Sequence, residues 1–251
     1  MSSNKKFIEF NFRNQQISNE FLQQIFDGIK QHTHVTSFAM YLDGHKITNE
    51  YTDIISQGIG NCQNIESFSL DLSNTSQFNE TLDTQKLSQG IFQNKNIKYF
   101  ALHLSGNQIG AQQIKDLLQE IQNQQNIESF TINLFNNNIF SQGASYIGEI
   151  LPKLNNLTSF NLFLYGNKIS DEGIIYLGLG ISQCKKLNNF QLDLSSNMVS
   201  LVSIARFHKA IQKCQNLIQF TLALMGNQII IDNIQINCFK AKRLVSFQYV
   251  I

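Results

Sequence analysis

The stretch Leu157-Thr-Ser-Phe160-Asn-Leu162-Phe-Leu164-Tyr-Gly-Asn167-Lys-Ile169 decides the fold, because it is written again thirty residues later. The next copy is Leu187-Asn-Asn-Phe190-Gln-Leu192-Asp-Leu194-Ser-Ser-Asn197-Met-Val199. The one after is Leu217-Ile-Gln-Phe220-Thr-Leu222-Ala-Leu224-Met-Gly-Asn227-Gln-Ile229. Going backward, the phenylalanine position falls at Phe130, Phe100, Phe68 and Phe38, then at Ile8; going forward it falls at Phe247. Two extra residues separate Phe68 from Phe100, and three are missing between Phe220 and Phe247. A period in this range marks a stacked array of supersecondary units.

Each unit carries two periodicities. Phe-x-Leu-x-Leu alternates, as a short strand with one buried face does. After the asparagine come apolar residues about four apart, as in Ile169, Gly173, Leu177, Ile181. The same row reads Ile47, Tyr51, Ile55, Ile59 in an earlier unit and Val199, Ser203, Phe207, Ile211 in a later one. That is helical spacing. One unit of strand, turn and helix buries too little apolar surface to offset the entropy of ordering its backbone. Stacking supplies the rest, with strands paired into one parallel sheet and helices covering its other side. Crossovers of this kind are right-handed. The expected architecture is an α/β solenoid, a right-handed horseshoe with a concave parallel sheet of about nine strands and convex helices. It forms a single domain over residues 1–251, of about eight units and a final strand.

The unit resembles the leucine-rich-repeat family, in its ribonuclease-inhibitor-like subclass with a helix in each repeat. That family's signature is Leu-x-x-Leu-x-Leu-x-x-Asn-x-Leu. Leu162, Leu164, Asn167 and Ile169 match its later part. Leu157-x-x-Phe160 precedes it and is expected to lengthen the strand by about two residues. The resemblance covers nearly the whole chain. It implies protein–protein binding on the concave face, the commonest use of a fold shared by many unrelated proteins.

Two recurring rows read as structure. The asparagine at 107, 137, 167, 197 and 227 follows its strand at a fixed offset, where an inward carboxamide satisfies backbone groups as the chain leaves the sheet. Gln15, His45 and Thr75 stand there in the early units, which predicts less regular turns in the N-terminal third. Cys62, Cys184 and Cys214 each lie 24 residues after their unit's phenylalanine, a place that His32 and Leu154 fill elsewhere. A position shared by Cys, Leu and His is a packing position. With no Cys-x-x-Cys and no zinc spacing involving Cys238, buried free thiols are expected and no metal site.

Composition excludes further classes. Charged residues are 15% of 251, the formal net charge is +1 and only three arginines occur, Arg13, Arg206 and Arg243. No basic field points to nucleic acid. No apolar run approaches the ~18 residues of a membrane span. The first ten residues, MSSNKKFIEF, do not read as a signal peptide, so a cytoplasmic location is expected. Neither a phosphate-binding glycine loop nor a nucleophile elbow, a zinc-protease helix or a kinase signature occurs. The five histidines do not converge with a serine or cysteine in the repeat frame, so neither an enzyme nor a cofactor is expected.

The repeat frame also sorts the strand residues by face. If Phe160, Leu162 and Leu164 point inward, the residues between and after them face the concave side. The middle row is then Asn11, Tyr41, Asp71, His103, Asn133, Phe163, Asp193 and Ala223. The next row is Arg13, Asp43, Ser73, Ser105, Phe135, Tyr165, Ser195 and Met225. Phe135, Phe163 and Tyr165 fall on adjacent strands, flanked by Asp43, Asp71 and Asp193 with His103 between. An aromatic centre with a charged rim is the composition of an interface hot spot. Together with Tyr41 these form the candidate protein-binding site. The expected function is a non-enzymatic interaction module or scaffold. Alternatives are an enzyme regulator, either a GTPase activator using Arg13 or a ubiquitin-ligase substrate receptor, and a structural subunit of a large assembly. Phe247-Gln-Tyr249-Val-Ile251 reads as an apolar edge strand, open to self-association or pairing with a partner.

Overall fold

The computed structural model describes residues 6–75 and 82–227, together with the backbone of 246–250. Among the described residues, nine strands form one sheet in sequence order, all parallel. They are β1 (Lys6–Asn11), β2 (Val35–Tyr41), β3 (Ser67–Asp71), β4 (Tyr99–His103), β5 (Ser129–Asn133), β6 (Ser159–Phe163), β7 (Asn189–Asp193), β8 (Gln219–Ala223) and β9 (Ser246–Val250). Between them run α1 (Asn19–Gln31), α2 (Asn49–Asn61), α3 (Thr84–Ile91), α4 (Ala111–Ile121), α5 (Phe140–Ile150), α6 (Asp171–Ile181) and α7 (Leu201–Ile211). Each packs on the next helix in line. The fold is an α/β solenoid of leucine-rich-repeat type. Neighbouring strands lie ~4.8 Å apart whereas packed helices need ~8–10 Å. The helix side therefore takes more length per unit, and the stack bends toward its sheet.

Register follows the phenylalanines. Ile8 pairs with Phe38, and Phe38 begins an in-register line through Phe68, Phe100, Phe130, Phe160, Phe190 and Phe220 to Phe247. From Phe38 to Phe220 the rings stack face to face, with centroids 5.3 to 6.1 Å apart. Sequence identity at one position thus becomes a continuous aromatic column in the core. The inward leucines beside it are buried, as are the helix rows from Ile47, Ile169 and Val199. The strands are shorter than expected. β6 starts at Ser159, and Leu157 sits in the preceding turn, buried, with its N–H on the Leu154 carbonyl.

Helix starts are fixed locally. Ser18, Thr48, Asp83 and Ser200 each accept the backbone N–H three residues on, at α1, α2, α3 and α7. Such caps satisfy a donor that the helix leaves without a partner. Some helices approach very closely. A methyl group on Gly180 of α6 would fall inside the backbone of Gly148 in α5, and one on Gly148 would lie 2.7 Å from the Tyr176 carbonyl oxygen.

The asparagine row is a hydrogen-bonded ladder. Asn137 accepts the N–H groups of Asn107 and Ile109, both at 2.9 Å, and donates to the carbonyls of Leu104, Leu134 and Phe135. Asn197 repeats this with the N–H groups of Asn167 and Ile169 and the carbonyls of Leu164, Leu194 and Ser195. Each carboxamide ties its own turn to the previous one. The early turns differ in backbone from the later ones, as expected: Gln108, Phe140 and Lys168 add a second positive φ in the fourth to sixth units that the first two units lack. A residue with positive φ recurs in every unit, at Asn14, Gly44, Asn74, Gly106, Asn136, Gly166, Ser196 and Gly226. The side chain one place later differs as well. His45 is fully buried, and neither ring nitrogen has a hydrogen-bond partner.

Candidate protein-binding surface

The concave surface is built from alternating strands. In β1, β3, β5 and β7 the middle-row residue is Asn11, Asp71, Asn133 or Asp193. In each case its side-chain oxygen accepts the N–H two residues on, from Arg13, Ser73, Phe135 or Ser195 at 2.8 to 3.2 Å. These acids and amides are Asx turns that finish their strands. In β2, β4 and β6 the same row carries Tyr41, His103 and Phe163, which project without that local bond. The left-handed residue alternates too, Asn or Ser on the odd units and Gly on the even ones. A side chain on Gly106 would collide with Asn74, and one on Gly166 with Asn136. The true repeat is therefore sixty residues, two unlike units. Pairing LSGNQI (104–109) with LYGNKI (164–169), and LFNNNI (134–139) with LSSNMV (194–199), makes this period legible in the sequence.

The predicted residues fall into two groups. Phe135, Phe163 and Tyr165 come together. The Phe135 ring centroid is 5.9 Å from Phe163, nearly perpendicular, and 5.5 Å from Tyr165. Phe135 and Phe163 are half-buried, and Tyr165 is 38% exposed. Asp193 pairs in register with Phe163 on the next strand. Tyr41, Asp43 and Asp71 form the second group, around Arg13. The Arg13 Nε donates to Asp43 at 2.8 Å and Nη2 to Asp71 at 3.2 Å, while its guanidinium carbon lies 4.7 Å over the Tyr41 ring. Asp71 is only 8% exposed. Asp43 and Asp71 thus hold an arginine of their own chain and lie strands away from the aromatic cluster. His103 stands between the groups, half-buried, its pKa lowered by burial. Sequence reasoning missed Arg13 as the centre of a cluster, because the ion pairs span 30 and 58 residues.

Cys62, Cys184 and Cys214 are buried and unbridged, with burial raising their thiols to about 11, 12 and 11. Thiols held so far above neutrality are not nucleophiles. Cys238 and the side chains of Phe247 and Tyr249 lie outside the described residues. Among the described residues no helix is long and apolar enough to cross a membrane.

No family model matches the chain, and no curated protein matches it. Among solved structures, a protein of Bacteroides fragilis aligns with a TM-score of 0.44 at 12% identity, covering 96% of this chain and 73% of that one. The chain in the TLR13–ssRNA13 complex aligns with a TM-score of 0.35 at 16% identity, covering 78% of this chain and 37% of that one. The class of fold rests on the repeat and its sheet, described above.

Proposed function

We propose that this chain is a cytoplasmic, non-enzymatic recognition module, a single solenoid of ribonuclease-inhibitor-like type that binds another protein on its concave face. The observation that carries this reading is the aromatic cluster of Phe135, Phe163 and Tyr165, gathered on one side of the sheet and still open to solvent. Aromatic side chains bring ~150–250 Å² each, so three of them supply the apolar centre of a contact. The activator alternative rests on Arg13, whose guanidinium is already bound by Asp43, Asp71 and the face of Tyr41.

The test is capture from an extract of the native cell with the double variant Phe163→Ala, Tyr165→Ala. These side chains are not part of the inward core, so the melting temperature is expected to stay within a few degrees while partner capture is lost. Unchanged capture overturns the reading.

A further inference from the structure

Twice on the concave surface, a Phe or Tyr of an even strand lies beside an aspartate of the next strand, within four positions that the repeat brings together. Arg13, Tyr41, Asp43 and Asp71 occupy the positions five, three, five and three residues after Ile8, Phe38, Phe38 and Phe68. Phe135, Phe163, Tyr165 and Asp193 occupy those positions after Phe130, Phe160, Phe160 and Phe190. In both, the aromatic residue of the even strand pairs in register with an aspartate on the next strand, Tyr41 with Asp71 and Phe163 with Asp193. In both, that aspartate spends Oδ1 on its own turn, accepting from Ser73 at 3.0 Å or Ser195 at 2.8 Å. The first Oδ2 takes the guanidinium of Arg13. The second has no hydrogen-bond or ion-pair partner among the described residues, and the position equivalent to Arg13 holds Phe135 instead.

We infer that the Phe135, Phe163, Tyr165 and Asp193 cluster is a receptor for an arginine side chain presented by the partner protein. This rests on the reading of the concave face as a recognition surface and names the chemistry that it recognises. The first cluster shows on this same scaffold what the arrangement holds, a guanidinium over an aromatic face with a carboxylate on the next strand. In the second, a ring replaces the chain's own cation and another replaces one carboxylate, so the site offers aromatic rings and one carboxylate oxygen without a partner among the described residues. Cations are drawn to the faces of aromatic rings, and the attraction grows as water is excluded. An aspartate oxygen adds a charge-assisted hydrogen bond that orients the fork of an arginine. The two clusters are four strands apart, roughly 19 Å, so a partner arginine would dock well clear of Arg13.

The probe is a capped Gly-Arg-Gly peptide titrated into the full chain and followed by aromatic NMR, beside the same peptide with citrulline. Citrulline keeps the shape and loses the charge. Saturable shifts at Phe163 and Tyr165 are expected with arginine, with binding at least about tenfold weaker for citrulline and for the Asp193→Asn variant. Phe135→Arg is expected to place a guanidinium over Phe163 and to abolish peptide binding. Arg13→Ala is expected to open a second site at Tyr41. Equal binding of the citrulline peptide, or unchanged binding in Phe135→Arg, overturns the inference. Either result with capture still lost in the Phe163→Ala, Tyr165→Ala chain would leave the concave-face reading standing and remove only the arginine.

Discussion

His45 is where a single residue departs most from the rule of its row. Later units place a carboxamide there that accepts two N–H groups and donates to neighbouring carbonyls. The imidazole is wholly buried with both nitrogens unbonded. Burial lowers its pKa, outweighing the nearby Asp43 charge and the carbonyls of Asp43, Leu42 and Gln15. The sign of the pH effect follows. Unfolded histidine takes its proton near pH ~6.5, whereas the folded chain resists it, so stability falls as pH drops through that value toward the folded pKa. His208, pushed by burial to about 4, adds to the same trend. His45→Asn should complete the ladder. We expect a gain of ~1–2 kcal/mol at neutral pH, read as a melting temperature several degrees higher, and a larger gain at pH ~5. A lower melting temperature at both pH values would show that the carboxamide does not reach its neighbours.

At the scale of elements, the helices are spaced by what their facing residues lack. Gly180 and Gly148 let the backbones of α5 and α6 touch, so Gly180→Ala should force them apart and cost well over 1 kcal/mol, as overpacking does. Gly28 of α1 has nothing within 4 Å of an added methyl group, and Gly28→Ala should stabilise by up to ~1 kcal/mol through helix propensity. Thermal melts of the two variants should therefore move in opposite directions. Much at this scale was legible in the sequence. The repeat spacing from Ile8 through the phenylalanines located the strands, and the apolar rows from Ile47, Ile169 and Val199 located the helices. The carboxamide row at 107 to 227 was legible as structure, since an amide recurring beside buried leucines must satisfy backbone. The close helix contacts were not, because Gly148 and Gly180 do not fall at equivalent positions of their units. Nor were the Asx turns: Asp71 and Asp193 read as a charged rim, and only the three-dimensional path of the chain shows their oxygens folded back onto N–H groups.

The whole molecule is a stack of pairs. Asn74 fills the space beside Gly106, and Asn136 the space beside Gly166. Two odd units in succession would set one side chain against another at that turn. Removing residues 101–160 joins units in the correct alternation, whereas removing 101–130 places two odd units together and sets Asn136 against Asn74. We expect the sixty-residue deletion to melt cooperatively as a shorter solenoid and the thirty-residue deletion to melt lower despite its larger core. The reverse order would show that the turns adapt freely. The candidate site was legible only in part for the same reason. Comparing single units locates Phe135, Phe163 and Tyr165 on the surface, but only comparison across pairs sets them beside Arg13, Tyr41, Asp43 and Asp71.

The in-register sheet has a mechanical consequence. Its strands lie side by side along the stack, each hydrogen-bonded to the one before and the one after. Tension along the stack pulls across the strands, so the bonds between one pair carry the load before those of the next. Such a chain yields by peeling. Each step would release one unit of about thirty residues, roughly 100 Å of extended chain. The molecule would lengthen under force as a series of small ruptures, with the carboxamide-tied turns of the C-terminal half giving way after those around His45.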